Sequence, residues 1–112
     1  MSVVVAHVRD GVAGEYVGRA VRRRAGSPLG NPYRIGSDGS RAEVIEHYRQ
    51  WVTDWADNAL PSPMHDELDR LVALYRARGA LTLLCWCSPA PCHADVLAEV
   101  IQARAAGSAD RG

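Results

Sequence analysis

LLCWCSPAPCHADVL, residues 83–97, is the stretch on which the reading of the fold turns. It closes a nearly unbroken apolar run that begins at Ala80, passes through a proline turn, and resumes with helical spacing at Val96, Leu97, Val100 and Ile101. A run this short with turn residues behind it is the pattern of a central strand covered on both faces. A strand that hands over to a helix through a turn sets the first helical residues above its own carboxyl end. In open α/β sheets that edge binds ligands, because the loops leave a crevice and helix amides point into it.

Outward from this stretch, SVVVAHVR (2–9) reads as a buried strand and DGVAG as the turn behind it. EYVGR (15–19) reads as a shorter second strand, paired with the first as a hairpin. Residues 25–39 carry four glycines and two prolines, and a connection of that length is expected to be an ordered loop with a task. Ser40 followed by Glu43 is a capping-box start. Val44, Ile45, Tyr48, Trp51, Val52 and Trp55 then give a helix one wide apolar face. A second helix follows, with Ser62 as cap, Pro63 in its first turn and Gly79 as its stop. The order β-β-α-α-β-α predicts a small α/β sandwich of two or three layers around a three-stranded sheet. Residues 1–106 are read as a single domain and 107–112 as a flexible tail.

The chain has 112 residues, 47% of them hydrophobic, and a formal net charge of zero, which suits one core and no strongly polyanionic partner for the chain as a whole. No apolar run approaches the roughly 20 residues that span a bilayer. There is no signal-like leader, so no membrane association and a cytoplasmic location are expected. Three cysteines crowded into positions 85–92 do not resemble a secreted disulfide framework, and reduced thiols are the default. All thirteen basic residues are arginine, and phenylalanine is absent as well, which reads as coding bias. Arg22, Arg23 and Arg24 form a run that is either a solvated surface or a contact to nucleic acid.

Three readings of the cysteine stretch stay open. Cys85, Cys87, Cys92 and His93 form a Cys₃His set of the kind zinc accepts. Against it, the four lie close together on a strand and a helix start, and adjacent Cys92 and His93 diverge by about 100° around a helix. In the second reading Cys92 is a thiol activated by the helix dipole, with His93 assisting. In the third the cysteines are small core hydrophobes. The balance places Cys85 and Cys87 in the core, makes Cys92 and His93 a candidate catalytic pair, and expects no bound metal. The loop GSPLGNPYRIGSDGSR adds backbone amides, Asn31, Arg34 and Arg41, a weak anion-site pattern that matches neither the P-loop nor the dinucleotide fingerprint. No cofactor is expected.

YVGR (16–19), SPLGNPYRIGSDGSRAEVIEHYRQWV (27–52) and LLCWCSPAPCHADVLAE (83–99) together resemble a bacterial and phage family of unknown function, DUF4326. The pairing of G-N-P with C-W-C-x-P-x-P-C-H is what makes the resemblance specific. It carries family positions onto Gly18, Arg19, Gly30, Asn31, Pro32, Gly39, Arg41, Glu43, Tyr48, Trp51, Cys85, Cys87, Pro91, Cys92, His93 and Leu97. Packing accounts for Tyr48 and Trp51, and capping for Glu43. Arg19, Asn31, Arg41, Cys92 and His93 are not so explained. The arginine run 22–24 departs from the family pattern.

The expectation is therefore a small-ligand site, either a binding module or an enzyme. Arg19 and Arg41 hold an anionic group, Asn31 orients a nucleotide or phosphosugar, Tyr33 or Trp86 stacks, and Cys92 with His93 does chemistry or polar recognition. The rival is a nucleic-acid or protein interaction domain, zinc-stabilised through the Cys₃His set.

Overall fold

The computed structural model describes residues 2–21, 24–57, 60–88 and 90–111. Its elements run β1 (Ser2–His7), β2 (Glu15–Tyr16), α1 (Arg41–Ala56), α2 (Pro63–Arg78), β3 (Ala80–Cys85) and α3 (His93–Arg111). The strand order is β1-β3-β2, and both pairings of β3 are parallel. The mixed α/β class with a three-stranded sheet is as expected, and β3 is the central strand.

The hairpin is not formed. The DGVAG turn exists, with the Asp10 amide donating to the His7 carbonyl over 2.9 Å and Gly11 at φ +75°. It sends the chain back across β3 instead of alongside β1, so that Glu15 and Tyr16 rise beside Leu83 and Leu84. Gly14 makes that passage possible: a Cβ there would lie 2.8 Å from the Thr82 carbonyl oxygen. Local turn chemistry does not choose the partner edge; here the free edge of the most apolar strand takes it.

Alternation along the strands separates two faces. Val3, Val5, Leu81, Leu83 and Cys85 belong to the core shared with the helices, whereas Val4 is 50% exposed. The helices thus form one layer and the sheet the other. On the far face Leu84 is buried, and the return passage at Gly14 runs close against it: a Cβ there would lie 3.0 Å from Leu84 Cγ.

Helix ends follow the sequence closely. Ser40 and Glu43 form both halves of the capping box on α1, and Ser62 caps α2 behind Pro63. Gly79 ends α2 at φ 74°, a left-handed position that suits glycine. The helical backbone of α3 continues to Arg111, past residue 106. Among the described residues no helix is long and apolar enough to cross a membrane.

The long loop is held from below. Leu29 is fully buried, and its carbonyl accepts a 2.6 Å hydrogen bond from the hydroxyl of Tyr48, itself fully buried on α1. Burial pushes that phenol far above its ordinary pKa, so it remains a donor at any ordinary pH. Tyr48→Phe strands the Leu29 carbonyl without water, and urea unfolding should show a loss of about 1–3 kcal/mol. An unchanged midpoint would mean the loop anchors elsewhere.

Candidate functional site

A cleft of about 610 Å³ opens above the carboxyl end of β3, and Arg19, Asn31, Arg41, Cys92 and His93 all line it. The wall built by YVGR and the loop is tight because its glycines touch. A Cβ on Gly18 would fall 2.5 Å from the Tyr16 hydroxyl oxygen, and one on Gly30 would fall 3.1 Å from the Gly18 carbonyl oxygen. The Ser27 amide closes the wall by donating to that same carbonyl over 2.9 Å.

Arg19 is carried on a relay. The Trp86 indole N–H donates to the Tyr16 hydroxyl at 2.8 Å, and the hydroxyl donates to the Arg19 carbonyl at 2.6 Å. The Arg19 guanidinium meets the Tyr33 carbonyl at 3.4 Å. Arg41, in the first turn of α1, donates to the Pro91 carbonyl over 2.9 Å and so ties the start of α1 to the turn before α3. Arg34, which the loop pattern sets with Asn31 and Arg41, is a third arginine on the cleft lining. Among the described residues no aspartate or glutamate lines the cleft. Acids at its borders face backbone amides instead: Asp38 accepts from Arg34, Glu43 from Ser40, and Asp95 from Cys92.

Asn31 is only 8% exposed. Its Oδ1 accepts from the Tyr33 amide at 2.9 Å, the Asx-type turn expected of Asn before Pro. His93 donates its Nε2–H to the Val17 carbonyl at 2.7 Å, because a carbonyl can only accept. Burial lowers the pKa of the imidazole, and nearby Arg19 adds to that against the opposing pull of the Val17 carbonyl and Asp95. At neutral pH the ring is uncharged.

The family model described as "Domain of unknown function (DUF4326)" matches residues 6–103. The chain belongs to this family. No curated protein and no solved structure matches it. The match takes in the whole cleft of this DUF4326 domain, from Gly18 to His93.

The three thiols differ sharply. Cys85 and Cys92 are buried, with their sulfurs 3.3 Å apart and the Cys92 S–H directed at Cys85. That donation lowers the Cys85 pKa to about 6, helped by the Ser88 amide at 3.4 Å, and raises that of Cys92 well above the usual thiol value. Cys92 is thus a buried, protonated donor at the cleft floor and not a poised thiolate. Strand alternation places Cys87 in the core beside Cys85; β3 ends at Cys85, and Cys87 is half-buried, packed against the core and also part of the cleft lining. Among the described residues no group of three or more His, Cys, Asp or Glu side chains could hold a metal ion, so Cys85, Cys87, Cys92 and His93 do not assemble as a zinc set. Of the arginine run, Arg22 and Arg23 lie outside the described residues, and the Arg24 guanidinium stacks over Tyr16 at 4.9 Å.

Titration with a disulfide reagent should show one fast thiol that disappears in Cys87→Ser and persists in Cys92→Ser; the reverse would make Cys92 the accessible group. A second expectation concerns pH. Because the folded-state pKa of His93 lies below the ordinary 6.5, the unfolded chain binds the proton first, and stability falls as pH drops below about 6.5. In urea midpoints measured from pH 7 to pH 5, His93→Gln should flatten that decline.

Proposed function

We propose that this cleft binds a small phosphate-bearing ligand of the nucleotide or phosphosugar class. The observation that carries the reading is the charge of its lining: Arg19, Arg34 and Arg41 line the cleft and, among the described residues, no carboxylate does. Guanidinium forks match phosphate geometry, and an unopposed set of three in a concave site favours an anion. The volume is that of an ordinary small-molecule pocket. Apolar lining from Val44 and Ile45, with Tyr33 and Trp86 at the sides, offers a surface for the uncharged part of such a ligand.

Calorimetric titration with adenosine monophosphate, ribose 5-phosphate and inorganic phosphate tests this directly. Binding should weaken about ten-fold in Arg19→Ala and in Arg41→Ala, the loss of one charge-assisted contact. The urea midpoint of Arg19→Ala should stay near that of the parent. Absence of binding by all three anions, or affinity indifferent to both arginines, would remove the proposal.

A further inference from the structure

Two uncharged polar atoms of cleft residues have no hydrogen-bond partner among the described residues. The Asn31 amide nitrogen makes no hydrogen bond among the described residues, since only Oδ1 is engaged. The His93 ring uses Nε2 on Val17, which leaves Nδ1 as a bare acceptor. Among the described residues the only buried side-chain nitrogens or oxygens lacking a partner are Trp55 Nε1 and His65 Nε2. Asn31 Nδ2 and His93 Nδ1 are therefore not sealed in, and both residues line the cleft. Each is held so that this one atom stays available. The Tyr33 amide fixes which end of the Asn31 side chain is nitrogen, and the Val17 carbonyl fixes the histidine tautomer.

The groups around His93 keep it an acceptor. Tyr48 of α1 meets it edge-on at 5.1 Å between ring centres, Arg19 of the cleft wall opposes a positive imidazole, and Asp95 of its own helix favours one. The Asp95 carboxylate is hydrogen-bonded to the Cys92 amide, and burial outweighs its attraction.

We infer that Asn31 and His93 form a neutral donor–acceptor subsite beside the guanidiniums, so that the cleft selects phosphate esters carrying a hydroxyl. This rests on the phosphate reading above and narrows it. A hydroxyl can serve either atom, accepting from Asn31 Nδ2–H or donating to His93 Nδ1, and a sugar phosphate carries enough hydroxyls to meet both. Neither inorganic phosphate nor a simple alkyl phosphate offers a hydroxyl on its organic part, and a site with polar groups left unpaired discriminates strongly against such a ligand.

The test compares ribose 5-phosphate with methyl phosphate, a monoester of the same charge without hydroxyls, by calorimetry at pH 7.5. The parent protein should prefer the sugar phosphate by about ten-fold or more, the scale of one or two added hydrogen bonds. His93→Phe keeps a ring against Tyr48 but carries no acceptor. Asn31→Ala removes the amide donor, together with the acceptor for the Tyr33 amide. Each should collapse the preference to about two-fold or less, below one hydrogen bond's worth, while methyl phosphate affinity stays near that of the parent. Retained methyl phosphate binding also shows that each variant is folded. Equal binding of the two probes by the parent, or a preference that survives both substitutions, overturns this inference and leaves the phosphate reading intact. Failure of both probes to bind overturns this inference, and it overturns the phosphate reading as well when adenosine monophosphate and inorganic phosphate also fail.

Discussion

A hydrogen bond between the Tyr48 hydroxyl and the Leu29 carbonyl, made where water does not reach, governs the rest of this molecule. The loop it anchors has almost no regular structure of its own, yet it supplies a wall of the cleft. Leu29 provides the apolar contact and Tyr48 satisfies the buried carbonyl, so the backbone on either side can run over the surface without drifting. Ser27 then bonds to Gly18, and Asn31 closes its turn onto Tyr33. The cleft residues that the loop itself supplies, from Asn31 to Ser37, follow directly on that foundation.

The sheet contributes the other half of the arrangement. With β3 paired on both edges, its carboxyl end is fixed between β1 and β2, and α3 starts at His93, eight residues beyond the end of β3. Cys92 meets Cys85, and Arg41 reaches across to the Pro91 carbonyl from the start of α1. Two helix starts and one strand end are thereby joined around a single opening. The thiols read most simply as part of that floor, one donating to the other, with Cys87 alone turned toward the space above.

Much of this was legible because it is local. The capping box at Ser40 and Glu43, the cap at Ser62 and the left-handed stop at Gly79 are properties of a few adjacent residues. The central position of β3 followed from its unbroken apolar run. What failed was long-range or depended on where an element ends. The edge chosen by Glu15 and Tyr16 is set by β3, far along the chain, and the turn signal at residues 10–14 carries no information about it. Alternation placed Cys87 with Cys85 in the core; Cys87 packs against that core from beyond the strand's last pair, and its place on the cleft lining is what alternation does not say. The family resemblance grouped Asn31 with His93, yet the free nitrogen on each becomes visible only when the partners of the other atoms, the Tyr33 amide and the Val17 carbonyl, are known.

The relay from Trp86 through Tyr16 to the Arg19 backbone has an optical consequence. Two of the three indoles, Trp51 and Trp55, sit together on α1 with ring centres 5.8 Å apart, and Trp55 is buried. Trp86 is 41% exposed and belongs to the cleft. Its emission is therefore the part of the spectrum that a soluble quencher reaches most readily and that an occupant of the cleft shields. Because its N–H is tethered to the segment carrying Arg19, a shift of that arginine also changes the polarity around the indole. The protein carries its own fluorophore at the mouth of the cleft, with no label required.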